Sequence, residues 1–236
     1  GEAAEAVRES PLFQLGTEER LHFYPILQDY DEEAGTAKGH YFHQDLLVAQ
    51  EIYKARPSRH LDVGSRVDGF VAHVASFMEV EVFDIRPGKT SASNIVFTQA
   101  DLMSFPASTP QYDSVSCLHA IEHFGLGRYG DKLDVSGHLK GFASLLALLS
   151  ENGRLYISFP IGDAERVEFN AHRVFRARSI LSWPGNEALE LLSFSFIDDK
   201  GELHRNSSIE AAEKMGLSFG CGIYTFSKKK NATSHS

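Results

Sequence analysis

Short apolar runs alternate with longer amphipathic stretches along most of this chain. The segment "HYFHQDLLVAQEIYKARP" carries Phe42, Leu46, Ala49 and Tyr53 at helical spacing, which predicts a helix with those residues on one face, stopped by Pro57. "RHLDVG" predicts a short strand ending in glycine, and "DGFVAHVASF" a helix with Asp68 near its start. "VEVFDI" predicts a second strand, closed by "RPGK"; "NIVFTQADL", "YDSVSCL" and "GRLYISFP" predict three more. Between the last two, "GHLKGFASLLALLS" has helical spacing, with "ENG" as its stop. Two late strand-like runs, "ALELLSFSFID" and "LSFGCGIYTFSK", flank a short helical segment, "SSIEAAEKMG".

Strands alternating with helices imply an α/β fold, with a mostly parallel open sheet covered by helices on both faces. The two late strands bring the expected count to seven, one of them antiparallel. Residues 1–39 mix charge, proline and glycine and are expected to form an irregular N-terminal extension. Residues 40–230 are expected to be a single domain, and 231–236 a solvated tail.

Composition narrows the function more than the fold. A chain of 236 residues, 42% hydrophobic and 23% charged, suits a soluble globular protein. Its net charge of −9 argues against nonspecific binding to a nucleic-acid backbone. No apolar run approaches the roughly 20 residues needed to span a membrane, so no membrane partner is expected. "GEAAEAVRES" lacks the basic start and apolar core of a signal peptide, and Cys117 and Cys221 each fall in a run that reads as a buried strand. A reduced, cytoplasmic protein is the expectation.

The candidate chemistry lies at the carboxyl ends of the strands, where open parallel sheets bind ligands. Gly64 and Gly69 bracket the turn after the first strand, with Ser65 and Arg66 between them. Asp84 closes the second strand 20 positions after Gly64, where a carboxylate can accept hydrogen bonds from two ribose hydroxyls, and Ile85 follows it. Asp101, at the end of the third strand, is placed to meet an adenine edge.

The successive motifs "LDVGS…G", "VFDIRP", "QADLMSF", "YDSVSCLHAIEH" and "ENGRLYISFP" resemble those of class I S-adenosylmethionine-dependent methyltransferases over about residues 58–160. More narrowly, "HAIEHFGLGRYGD", "GHLKGF" and "ERVEFNAHRVF" resemble a group of bacterial and nematode proteins assigned to that superfamily. The resemblance implies a Rossmann-like sheet and S-adenosylmethionine as cofactor. It implies Asp62 and Gly64 at the methionine side, Asp84 at the ribose, Asp101 and Leu102 at the adenine, and His119 near the transferable methyl group. One position departs from the pattern: Arg66 stands where the family loop usually has glycine. There it either grips a carboxylate of cofactor or substrate, or partly blocks the site.

Within "HAIEH", His119 and His123 flank Glu122. Methyl transfer to a hydroxyl calls for a base, and a histidine of near-neutral pKa suits that role. His123 is the favoured base, with His119 as the other candidate and Glu122 orienting an imidazole or binding acceptor hydroxyls. Arg128 and Tyr129, inside the glycine-rich "FGLGRYGD", suit a sugar or a phosphate-bearing acceptor. Tyr41 and His43 from "GHYFHQD", with His172 and Arg173 from "ERVEFNAHRVF", are the remaining substrate-side candidates.

The expected function is O-methylation of a small polar acceptor, such as a sugar or nucleotide-sugar, without a resident metal. A divalent metal assisting the transfer, held by Glu122, Asp131 or Asp134, is a variant of this reading, and two alternatives to it stay open. One is a non-catalytic nucleoside-binding module of the same fold. The other is a zinc hydrolase built on H-x-x-E-H, with Glu168 or His172 as a further ligand.

Overall fold

The computed structural model describes residues 35–105 and 112–230, and the chain from Ala37 onward forms one compact unit. The expected extension, up to residue 34, and the expected tail, 231–236, lie outside the described residues.

Helix α1 (His40–Ala55) precedes β1 (His60–Val63), and α2 (Ala72–Ala75) leads to β2 (Val80–Asp84) and β3 (Ile95–Gln99). Next come β4 (Tyr112–Leu118), α3 (Gly137–Leu148) and β5 (Leu149–Ile161). A separate hairpin follows, β6 (Arg166–Glu168) with β7 (His172–Val174). The chain returns as β8 (Leu189–Ile197), β9 (Leu203–His204), α4 (Ile209–Lys214) and β10 (Gly220–Lys228). The main sheet has the order β3-β2-β1-β4-β5-β10-β8-β9. The first five strands of that order are parallel, and β10 runs antiparallel to both β5 and β8.

The sheet therefore has eight strands rather than the expected seven. The additional one is the two-residue β9, which turns back so that His204 pairs with Phe196 and stacks its ring on that side chain at 4.4 Å.

The central strands are buried on both faces, and β1 and β4 carry His60, Asp62, Ser114 and Ser116 inside as buried polar groups. Along β5, Leu155, Ile157, Phe159 and Ile161 join the core built with Phe142, Leu145 and Leu148 of α3. Tyr156, one residue out of phase, joins the opposite core with Val48, Ile52, Phe70 and Val74.

Two helices differ from their sequence patterns. In α1 the expected face is turned outward: Phe42, Leu46 and Tyr53 are exposed, and only Ala49 of that set is buried. The docked face is Asp45, Val48, Ala49 and Ile52, with Gln44 and Leu47 beside it. This rotation seats branched aliphatic side chains in the core and carries two polar groups inward, where Ser158 Oγ donates to Gln44 Oε1 at 2.6 Å. After β1, the expected regular helix starts instead as a π-helical turn, Val67–Val71, before α2. Gly69 is non-helical there (φ −126°, ψ −105°), and a Cβ on it would lie 2.7 Å from Asp45 Oδ2. A side chain here would press on the Asp45 carboxylate, which would have to shift.

Candidate functional site

Strand order reverses between β1 and β4, and a cleft opens beyond the carboxyl ends of the strands there. Gly64, Asp84, Ile85, Asp101, Leu102, His119, His123 and Tyr129 all line it, from six segments of the chain. Phe83, Met103 and Phe124 add apolar walls.

The first wall is the turn after β1. Gly64 has φ +72°, and a Cβ on it would lie 2.9 Å from that of Ala120, so the backbone approaches the opposite wall as closely as it can. Asp62 and Ser65 do not line the cleft; they fix this turn from beneath. The buried Asp62 carboxylate accepts from Ser65 N at 3.0 Å, Ser65 Oγ at 2.6 Å and Ser116 Oγ at 2.6 Å. Burial pushes its pKa up to about 6 against those hydrogen bonds. Ser65 Oγ also accepts from Leu118 N, tying β1 to β4. Arg66 lies outside the cleft, fully exposed and paired with Asp68 at 2.9 Å. It lines an adjoining cavity with Ser65, Asp84 and Arg86.

Asp84 ends β2, as the sequence predicts, with its carboxylate nearly buried. Arg86, which the sequence reading passed over, closes on it through the backbone N at 2.8 Å, Nε at 2.9 Å and Nη2 at 2.6 Å. Its guanidinium also lies 4.7 Å over the Tyr129 ring. Asp101 stands two residues beyond the end of β3, where its carboxylate accepts from Met103 N and Ser104 Oγ.

The "HAIEH" stretch is not a helix that presents two histidines on one face. Ile121–His123 forms a single 3-10 turn, and His119 precedes it with φ +49°. The buried Glu122 carboxylate sits between the rings, with Oε1 2.9 Å from His119 Nδ1 and 3.7 Å from His123 Nε2. His123 Nδ1 lies 2.6 Å from the Ala171 carbonyl, an acceptor only, so this nitrogen carries the proton and Nε2 keeps its lone pair. Burial lowers the His123 pKa below its usual value, leaving the ring neutral at pH 7.

The glycine-rich loop is organised by Asp131. Its carboxylate accepts from Gly125 N at 2.7 Å, Gly127 N at 3.1 Å and Tyr129 N at 3.2 Å. This holds Tyr129 against the cleft, edge-on to His123 at 5.5 Å. Arg128 sits on the exposed side and donates to the Ala171 carbonyl at 3.0 Å.

Of the other substrate-side candidates, Tyr41 and His172 belong to a chain of rings around Glu122. Tyr41 meets His119 at 5.3 Å, His119 stacks on His40 at 5.1 Å, and His40 on Phe219 at 5.5 Å. Phe219 then meets His172 at 5.2 Å, and His172 meets His123 at 6.3 Å. His43 stands apart, edge-on to Phe42. Arg173 does not face the cleft. It is buried, and its guanidinium donates to the carbonyls of Glu122, Phe124, Asp134 and Val135, so it holds the loop after β4 in place.

The fold is similar to that of N-methyltransferase NodS from Bradyrhizobium japonicum WM9, solved with S-adenosyl-L-homocysteine. The TM-score is 0.55 at 13% identity, over 81% of this chain and 89% of that one. It is also similar to 1,6-didemethyltoxoflavin-N1-methyltransferase from Burkholderia thailandensis, at TM-score 0.56 and 14% identity, over 97% of this chain and 90% of that one. The [4+2]-cyclase SpnF matches at TM-score 0.55 and 14% identity, over 79% and 82%. At these identities the likeness is one of fold, that of the class I S-adenosylmethionine-dependent methyltransferases. No curated protein matches the chain in sequence. The family model described as Caenorhabditis protein of unknown function, DUF268, matches residues 88–206, from before β3 to beyond β9, and by that match over half its length the chain belongs to this family.

Proposed function

We propose that the protein is an S-adenosylmethionine-dependent methyltransferase acting on a hydroxyl of a small polar acceptor, such as a sugar or nucleotide-sugar. The observation that carries this reading is the meeting, in one cleft, of a glycine turn, a strand-end carboxylate and the His123 imidazole backed by Glu122. The cleft fits the cofactor's chemistry. Asp84 would accept from the ribose hydroxyls, and Leu102, Phe83 and Met103 offer apolar walls to the adenine. Gly64 is a cradle that any Cβ would narrow. When bound, the cofactor supplies an electrophilic methyl carbon.

The chain's own residues would do the rest. His123 Nε2 takes the acceptor's proton, while Ala171 holds its Nδ1–H. Glu122, 3.7 Å away, stabilises the imidazolium so formed. Arg128 and Tyr129 at the rim suit the hydroxyls or phosphates of a sugar nucleotide. His119 is positioned by Glu122, and the base role goes to His123, whose ring lines the cleft beside Tyr129 and whose Nδ1–H is held by Ala171.

A second reading is nucleoside binding without methyl transfer, and the three contacts that Arg86 makes to Asp84 bear on both readings. Ribose hydroxyls would have to share or displace them. Incubation with S-adenosylmethionine and a panel of sugars and sugar nucleotides, followed by detection of S-adenosylhomocysteine, separates the two readings. Acceptor-dependent product supports methyl transfer. Cofactor binding with no product from any acceptor leaves the second reading, and no binding overturns both.

A further inference from the structure

One cluster of metal-capable side chains occurs among the described residues, and it is not the H-x-x-E-H set. One ring nitrogen of His40, one of His119 and Sγ of Cys221 all lie within 4.8 Å of one another. They come from the start of α1, the end of β4 and the start of β10. Cys221 is fully buried, and the His119 side chain is only 6% exposed.

Two further observations point to a ligand. His119 Nδ1 is committed to Glu122 at 2.9 Å, and its Nε2 is buried with no partner at ordinary hydrogen-bond geometry, the Cys221 thiol being its nearest polar neighbour. A buried nitrogen left without a partner is unfavourable, so it calls for an occupant. The carboxylate behind it also makes the arrangement in which metal-binding histidines are usually held, the second ring nitrogen donating to an acid. On the other side, Gln44 Oε1 lies 3.7 Å from the Cys221 thiol and orients it.

We propose that His40, His119 and Cys221 bind one zinc ion. Two imidazoles and one thiolate are a donor set suited to zinc. Tetrahedral coordination would place the three donor atoms about 3.3–3.7 Å apart, so they need close by only about 1 Å. Binding replaces the Cys221 thiol proton, which leaves to solvent. Three protein ligands leave one coordination position for water or an acceptor oxygen, as in catalytic rather than structural zinc sites. The proposal does not rest on the methyl-transfer reading, since zinc and S-adenosylhomocysteine binding are measured separately. It replaces the expectation of a site without metal, and it assigns His123 no part in the coordination.

The test is equilibrium dialysis of the intact protein against zinc chloride, with metal analysis, followed by titration with Co²⁺. The expected result is one zinc per chain, and a thiolate-to-cobalt absorption band on cobalt binding. Cys221→Ser and His40→Ala should each weaken binding by at least about 100-fold, while Cys117→Ala and His123→Ala keep it. Circular dichroism reports whether each variant is folded. If a variant fails to fold, the cobalt band in the wild type and in Cys117→Ala decides, because Cys221 is then its only thiolate source. Sub-stoichiometric zinc with no thiolate band overturns the proposal. Loss of binding in folded His123→Ala overturns it in favour of the H-x-x-E-H pair.

Discussion

Two glycines allow the crowding at the cleft wall to be measured rather than assumed. Gly64 and Gly130 both have positive φ, +72° and +84°. A Cβ on Gly64 would meet Ala120 Cβ at 2.9 Å, whereas one on Gly130 has nothing within 4 Å. Alanine at either position incurs the left-handed backbone penalty, about 1–2 kcal/mol. At Gly64 it also overpacks the wall, which adds about 1–3 kcal/mol. Gly130→Ala should therefore lose about 1–2 kcal/mol in urea denaturation, and Gly64→Ala about 2–5 kcal/mol. Adding Ala120→Gly to Gly64→Ala removes the clashing partner, so a double-mutant cycle should show a favourable coupling of about 1–3 kcal/mol. If Gly64→Ala is no worse than Gly130→Ala, or the cycle shows no coupling, the close wall on which the cofactor cradle depends is not there.

Three other outcomes follow from buried polar groups. In the turnover assay, His123→Ala should lower the rate more than it weakens S-adenosylhomocysteine binding. Because burial lowers the pKa of this base, the acid limb of the rate profile should have its midpoint below the ordinary histidine value; a midpoint above that value would contradict the assignment. His60 lies fully buried against Ser114 Oγ at 2.7 Å and Ser116 Oγ at 3.1 Å, with its pKa driven to about 3 by burial. The unfolded chain then binds a proton that the native state refuses between the unfolded pKa, about 6.5, and about 3. Stability is full above that window and falls with acid, by about 2 kcal/mol at pH 5 from this group alone. His60→Asn should flatten the dependence of the urea midpoint on pH between 8 and 5, and an unchanged slope would remove His60 as its source. Arg173→Met strips a charged donor from four carbonyls and should cost about 3–5 kcal/mol in denaturation, with KM for the acceptor unchanged. Raised KM at wild-type stability would instead make Arg173 a substrate contact.

The α/β order and the strand ends were legible because they depend on local signals. Apolar runs marked the strands, and Asp84 and Gly64 fell where an open parallel sheet places its ligands. What was not legible depends on contacts between distant segments. The buried face of α1 could not be read from spacing, since apolar residues occur all round it and docking against Val74 and Val82 selects the set. Arg173 looked like a substrate residue because its four carbonyl partners lie about 40 to 50 positions earlier in the chain. Arg86 and Asp131 did carry a local signal, a side chain two residues beyond a strand-end acid and an acid closing a glycine-rich loop. Neither could be given its partner without the structure. H-x-x-E-H suggested one metal held by two histidines, but the 3-10 turn puts Glu122 between the rings. His119 turns instead toward His40 and Cys221, which are 79 and 102 residues away in sequence.

Calorimetry with S-adenosylhomocysteine, on the wild type and on Asp84→Ala, tests the central claim most directly. Saturable binding to the wild type is expected. Asp84→Ala removes the acceptor for the ribose hydroxyls and should weaken that binding about 10- to 100-fold, or roughly 1.4–2.7 kcal/mol. No heat of binding at millimolar ligand, or equal affinity in Asp84→Ala, would contradict it.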